Sequence, residues 1–343
     1  MIVKDAESTL SRCLESVAAE VDEIVIVDTG STDRTVEIAE RFTSGVHHID
    51  WNDNFSEARN FALDQSDGDF HLILDADEYL SSGQGLKASI EALRATHGLF
   101  IGKLLRRNAY LHQGAMQFSS SYLSRIIPRS IRYVGAIHEQ VDSGDLPAVP
   151  LPTFCVEHDG YLETDKSKRN IPILLKVLQD DSSNPYLRFQ LGREYRIQGK
   201  YDLAENEYLK ALSTCNSTLS IFPPLVVDIV YNCLYCHNFH LGYHVLETYA
   251  KDLQWYSDFH FVRGLFFMRW ILSDIEQMKY FSEIEVAYKH CLLLGEQTLV
   301  ESVEGTGSYL AAQNLAAFYR ATGNHSKADR YNSLASMMRQ DRR

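Results

Sequence analysis

The sequence predicts an α/β unit built on a mostly parallel sheet, followed by an all-α unit of helical repeats. Three observations predict it. Strand-like and helix-like segments alternate through the first half, the signature of a parallel α/β layer structure. The run Phe70-His71-Leu72-Ile73-Leu74 has almost no polar face and ends in Asp75-Ala76-Asp77. A strand covered on both faces meets a ligand crevice at its carboxyl end in this way. After Lys166 strand patterns cease and small residues recur at helical spacing.

The elements follow in order. Met1-Ile2-Val3 before Lys4-Asp5 reads as the last half of a strand, so the chain is expected to begin several residues earlier. Apolar residues at 10, 13, 14 and 17, after Ser8, have helix spacing and an N-cap candidate. Glu23 to Val27 is a β-branched strand run. It ends in the polar loop Asp28-Thr29-Gly30-Ser31-Thr32-Asp33, followed by a capped helix from Thr35 to Arg41. Val46 to Ile49 is a short third strand. Phe55 to Asp64 is helical, with Phe55, Ala58, Phe61 and Ala62 on one face and Arg59 and Asn60 beside it. Beyond Leu93 the texture changes. Leu99–Leu104, Ala109–Phe118 and Ile131–Gly135 read as strands of a smaller, mixed or antiparallel region, Gly144–Pro152 as a loop, and Phe154–His158 as a last short strand. The first domain is expected over residues 1–163 and the second over 164–343.

In the second half Asn184-Pro185 opens a segment with Leu191, Gly192, Tyr195, Gly199, Tyr201, Ala204, Tyr208 and Ala211. Counted from Pro185 these fall at positions 7, 8, 11, 15, 17, 20, 24 and 27, the tetratricopeptide spacing. Arg188 replaces the Trp of position 4. Leu315, Ala316, Tyr319, Gly323, Ala328 and Ala335 repeat positions 7, 8, 11, 15, 20 and 27. Small residues at 8 and 20 let paired helices approach. The stretch from Leu219 to Glu304 is helical but out of register and reads as divergent repeats.

Bulk properties exclude some partners. A net charge of -13 argues against nucleic acid and anionic membrane, which need a basic face. No apolar run has membrane-span length and no signal peptide opens the chain, so a cytoplasmic protein without stable membrane insertion is expected. The six cysteines then read as reduced thiols. Cys233-Leu-Tyr-Cys236-His237 matches a haem-attachment pattern and His240 adds a zinc-ligand type, but the segment is apolar and helical with no second ligand pair. Asp75 and Asp77 are oxygen ligands of the kind Mn²⁺ or Mg²⁺ takes on a nucleotide-sugar diphosphate. The same triplet also occurs in turns and helix caps.

Six motifs occur in one order: Met1-Ile-Val-Lys-Asp5, Val27-Asp-Thr-Gly-Ser-Thr-Asp-Arg34, Trp51-Asn-Asp-Asn-Phe-Ser-Glu-Ala-Arg-Asn60, Leu74-Asp-Ala-Asp-Glu78, Gly135-Ala-Ile-His-Glu-Gln140 and Glu157-His-Asp-Gly-Tyr161. Together they resemble a family 2 glycosyltransferase of the GT-A fold, a Rossmann-like nucleotide-sugar-binding domain, with a C-terminal tetratricopeptide region. From Ile137 to Ala211, with Lys166-Ser-Lys-Arg-Asn170, the chain is also similar to the peptide S-glycosyltransferases of glycocin biosynthesis, the sublancin glycosyltransferase type. Surface-polysaccharide and lipopolysaccharide enzymes share most of these motifs.

The resemblance implies an inverting transfer from a UDP-sugar with Mn²⁺ or Mg²⁺. It implies that Ile2, Val3, Asp28 and Thr29 line the uridine pocket and that Arg59 reaches the nucleotide. Asp77 is the foremost metal ligand. Asp75, separated from it by Ala76, helps through ribose or a metal-bound water. His158 adds a ligand to metal or diphosphate. Glu139 is the candidate base, with His138 as orienting group or alternative base, and Arg125 contacts phosphate or acceptor. Lys166, Lys168 and Arg169 offer one cation for the diphosphate, although each alone reads as a solvated helix start. Asp28 also reads as a turn residue, Arg59 as a solvated helix residue and His158 as a structural histidine. The acceptor is a peptide Cys or Ser, or a saccharide. The repeats would bind acceptor, a second copy as a homodimer, or both. A tetratricopeptide adaptor with a dead transferase domain would lack Asp75, Asp77 or Glu139, and all three are present. A sugar-nucleotide pyrophosphorylase would show a Gly-rich loop after the first strand, and Asp5-Ala-Glu-Ser8 supplies none.

Overall fold

The computed structural model describes residues 1–82, 84–112, 115–158, 166–298 and 300–340. The chain folds as two compact units, Met1–Lys166 and Ser167–Arg343. The domain boundary expected between 163 and 164 lies outside the described residues, as do Asp159, Gly160 and Tyr161 of the last motif.

The first unit starts with β1 (Ile2–Val3), α1 (Leu10–Val17), β2 (Ile26–Asp28), α2 (Thr35–Ala39), β3 (Val46–His48) and α3 (Phe55–Asp64). Strands β1, β2 and β3 form a parallel sheet with Val3 opposite Asp28. Helix α1 lays Leu10 and Leu14 against Val3 and Ile26, as its apolar spacing predicts. Its N-cap is Thr9, one residue after Ser8. Helix α3 starts where expected, because Asn54 Oδ1 accepts the Glu57 N–H and satisfies one open donor of the first turn.

The strand that leads into Asp75 departs from expectation in its partner. β4 (Phe70–Leu72) is antiparallel to β7 (Ala115–Pro128), not a member of the parallel sheet. An apolar run fixes burial but carries no information on partner direction. Both faces are covered, as expected: Phe70, Leu72 and Leu74 join one core, Ile73 the other. β5 (Glu78–Ser82), α4 (Leu86–His97) and β6 (Ile101–His112) follow. β6 and β7 form a long antiparallel hairpin, so the single strand expected over 109–118 is the end of one strand and the start of the next. Its alternation continues through Ser119, Ser121 and Leu123, a half-polar pattern that an apolar scan passes over.

After β8 (Tyr133–Val134) and β9 (Gln140–Val141), β10 runs from Ala148 to His158. The loop expected over 144–152 is therefore strand from Ala148 onward. Pro150 and Pro152 are tolerated because β5 pairs β10 only from Cys155, so along the proline segment that edge needs no N–H donors. β10 lies parallel to β6, with a bulge between Leu151 and Cys155.

The second unit holds α5 (Ser167–Asp180), α6 (Pro185–Ile197), α7 (Tyr201–Thr214), α8 (Phe222–Cys236), α9 (Phe239–Thr248), α10 (Ser257–Ser273), a 3₁₀ turn (Ile275–Tyr280), α11 (Phe281–Leu294), the short strand β11 (Ser302–Val303), α12 (Tyr309–Ala321) and α13 (His325–Gln340). The α6–α7 hairpin has the close approach its sequence requires. A Cβ on Gly192 would lie 2.5 Å from the Tyr208 ring, and Ala204 and Ala211 are fully buried. The middle stretch is closer to register than expected. Counted from Pro223, Val230 takes position 8, His237 position 15 and Gly242 position 20. His237 is left-handed, φ 57°, where the other pairs have Gly199 and Gly323. The Cys233-x-x-Cys236-His237 pattern is thus a helix C-terminus: Asn238 N donates to Cys233 O at 2.9 Å. In α10–α11 the same packing recurs with Gly264 against Tyr288, and the 3₁₀ turn lengthens the connection. No helix among the described residues is long and apolar enough to cross a membrane.

One buried acid pins the segment after α11. Asp258 accepts from Ser302 Oγ (2.9 Å), Val303 N (2.8 Å) and Thr306 Oγ1 (2.5 Å). Burial pushes its carboxyl up to about 6, outweighing those donors. Its protonated form is favoured in the fold, so its stabilisation is complete below about pH 4 and is lost as pH rises through about 6. Thermal unfolding from pH 4 to 7 should show wild type losing about 3 kcal/mol relative to Asp258→Asn. Parallel curves would show that Asp258 is ionised throughout.

Candidate active site

The residues named by the motifs gather at the ends of β2 and β4 and on the face of α3. Val3 and Asp28 are paired in the parallel sheet, and Thr29 donates both its N–H (3.0 Å) and its hydroxyl (3.1 Å) to Val3 O. Ile2 pairs with Val27 in the same register. Asp28 is buried and takes the Gly30 and Ser31 N–H groups at 3.1 Å, with His48 Nδ1 at 3.4 Å. Its turn role is therefore realised. Gly30 sits at φ 98°, a value that suits glycine. Ala76 packs on the same core as Val3 and Ile26, which brings the Asp75–Asp77 turn to that edge of the sheet.

Arg59 is the centre of the second half of the site. Its side chain is only 9% exposed, not solvated. Nη2 donates to Asp75 Oδ1 at 2.6 Å and Nε to Glu139 Oε1 at 2.5 Å. Burial opposes the guanidinium charge, but Asp75 and Glu139 outweigh it and hold Arg59 well above its ordinary value. The loop carrying Glu139 is fastened to the same helix. Asn60 Oδ1 accepts from Tyr133 N (2.8 Å), Asn60 Nδ2 donates to Tyr133 O (2.9 Å), and Phe55 N donates to Ala136 O (2.7 Å). Between them Gly135 (φ 91°) and His138 (φ 49°) turn the chain so that Glu139 faces Arg59.

Arg125 approaches Asp75 from β7. Its Nη2 donates to Asp75 Oδ2 at 3.2 Å and to Glu78 Oε1. Glu78, 1% exposed, also accepts the Asp75 N–H at 3.0 Å and lies 3.7 Å from Arg106. Burial pushes the Asp75 carboxyl up, but Arg59 and Arg125 outweigh it and keep it well below the carboxylate range. Both Asp75 oxygens are thus engaged by guanidinium groups.

Asp77 has a different environment. His158 Nε2 lies 3.3 Å from Asp77 Oδ2, and Lys166 Nζ donates to the same oxygen at 3.0 Å. Burial raises the Asp77 carboxyl, and His158 and Lys166 more than reverse that. His158 Nδ1 donates to Asn108 Oδ1 at 2.9 Å, an oxygen that also accepts from Arg106 Nε. The other nitrogen, Nε2, is thereby aimed at Asp77, as an outer hydrogen bond aims a metal-binding imidazole. An aspartate and an oriented histidine are donor types that a divalent ion takes, with Lys166 Nζ seated on the same carboxylate oxygen. Among the described residues no group of three or more His, Cys, Asp or Glu is arranged to hold one.

Several contributors escaped the sequence reading. Glu78 stands beside Asp77 in the quoted motif, and Asn60 beside Arg59, so both signals were in view. Asn108 lies in a polar stretch of β6 with no motif. Lys166, read as solvated, is ion-paired.

A family model, Glycosyl transferase family 2, matches residues 1–138. A TPR repeat-containing protein of Synechococcus elongatus is 35% identical over 213 residues, covering 56% of this chain and 50% of that protein. The SPbeta prophage-derived glycosyltransferase SunS of Bacillus subtilis is 26% identical over 220 residues, 61% of this chain and 51% of that protein. The chain spans about half the length of these curated relatives. Among solved structures, the crystal structure of MamA aligns with 53% of this chain and 98% of its own at 17% identity, TM-score 0.40. The chain carries a glycosyl transferase family 2 domain in its N-terminal part, joined to a C-terminal tetratricopeptide-like helical region.

Proposed function

We propose that the protein is an inverting, metal-dependent glycosyltransferase that moves a sugar from a UDP-sugar to a peptide side chain, a Cys or Ser of a bacteriocin precursor. The observation that carries the proposal is Arg59, itself buried, which ties Asp75 of the acidic turn to Glu139 of the base loop in one partly buried network.

In this reading Ile2, Val3, Asp28, Thr29 and Ala76 form the nucleoside edge. Asp77 and His158 hold Mn²⁺ or Mg²⁺, which when bound supplies positive charge to the leaving diphosphate. Asp75, locked by Arg59 and Arg125, positions the turn. Glu139 takes the acceptor proton, and His138 beside it orients the acceptor. A fixed Glu139 spares the reorganisation a mobile base would need as the acceptor attacks. The helical unit offers a surface for the acceptor peptide, a second copy of the chain, or both.

Released nucleotide tests this. The chain with Mn²⁺ and a panel of nucleotide-sugars should release UDP from a UDP-sugar, faster with a Cys- or Ser-containing acceptor peptide and not after chelation. A folded protein that neither binds nor turns over any nucleotide-sugar would overturn it. Nucleotide-sugar binding without turnover for any acceptor would favour an adaptor.

A further inference from the structure

We propose that Lys166 is a resident counter-cation on Asp77, which yields the Asp77–His158 pair to a divalent ion when a nucleotide diphosphate arrives with it. The proposal rests on the metal-dependent donor binding proposed above.

Lys166 Nζ and His158 Nε2 meet the same oxygen, Asp77 Oδ2, at 3.0 and 3.3 Å. Asp77 is 23% exposed and Lys166 32%, so the pair is partly shielded and the ammonium can still leave toward solvent. A divalent ion on Asp77 and His158 would have to stand beside that ammonium or displace it, and like charges at such range repel. Among the described residues of this network each carboxylate is already paired. Asp75, Asp77, Glu78 and Glu139 already face Arg59, Arg106, Arg125 and Lys166. A bare metal ion therefore exchanges one cation for another and gains little.

A diphosphate changes the balance. Its oxygens meet both the incoming ion and the displaced ammonium, so neither positive charge is left without a partner. Metal and nucleotide then bind with positive coupling, and by reciprocity each strengthens the other equally. Lys166 carries that coupling without holding the metal. No covalent step is involved.

The test reads Mn²⁺ directly. The full chain is titrated with Mn²⁺ and free ion is followed by its paramagnetic resonance signal, with and without saturating UDP, each against the same titration without protein, because UDP alone also takes up Mn²⁺. Wild type should bind Mn²⁺ weakly alone and about tenfold or more tighter with UDP. Lys166→Ala should bind Mn²⁺ alone about tenfold tighter, and the further gain from UDP should be clearly smaller than in wild type. Lys166→Arg, which keeps the charge, should retain the wild-type pattern. Unchanged Mn²⁺ affinity and coupling in a folded Lys166→Ala protein would overturn the proposal, as would no Mn²⁺ binding in either protein. Failure of the transferase reading is separable: it is absence of turnover in wild type, whereas this proposal is decided by Mn²⁺ and UDP binding alone.

Discussion

Asp77→Asn is expected to reduce Mn²⁺-dependent donor binding by about a hundredfold or more and to take turnover below detection. The amide keeps the size of the side chain but removes the charge. His158 Nε2 and Lys166 Nζ would then face a neutral group. The loss is specific to the metal-dependent part of binding, so UDP titrated with and without Mn²⁺ reads it directly. In wild type the two titrations differ, and in the variant they should coincide. The fold should persist, because the surrounding turn is held by Asp75 through Arg59, Arg125 and the Glu78 carboxylate. A variant that still shows Mn²⁺-dependent UDP binding would remove Asp77 from the metal site.

Glu139→Gln should separate binding from chemistry. Glutamine keeps an oxygen that can accept from Arg59 Nε, so the base loop stays on α3 with Asn60 and the Ala136 carbonyl. Donor affinity should change by no more than about threefold, while transfer falls by about 10² to 10⁴. The pH profile of that loss reports the acceptor. A thiol ionises by itself near about pH 8.5, so with a cysteine acceptor the defect should shrink between pH 7 and 9. With a serine or sugar hydroxyl it should not. Single-turnover transfer across that range provides the measurement, and full activity at pH 7 would move the base role to another group.

How much of this could be read from the chain depends on whether the interactions are local. Helix α3 was legible to the residue because the apolar positions that define its face lie within one short segment. The Gly192 and Tyr208 packing was legible because the repeat fixes both positions. Strand β10 was not: its prolines are acceptable only because β5 is short, and a partner's length cannot be read at the proline. The α8–α9 pair was hidden because His237 adopts a backbone conformation usually left to glycine. In the site, residue types were visible but pairings were not. Arg59 reaches Glu139 across 80 positions and Lys166 reaches Asp77 across 89. Such contacts are set by the tertiary fold, so a motif scan lists the participants without saying which holds which.

The bulge in β10 has a bearing on how this site tolerates change in length. Leu151 is opposite Leu104 and Cys155 is opposite Leu105, so residues 152–154 have no counterparts on β6. Register is reset at Cys155, only three residues before His158. Gain or loss of a residue within 152–154 can be absorbed there, leaving His158 opposite Asn108. Against β6 a single deletion between Val156 and His158 has no such buffer. It turns the imidazole to the opposite side of the sheet, because strand side chains alternate. The strand thus has a forgiving half and an unforgiving half, and relatives that keep this histidine's place should differ in length only before the bulge ends.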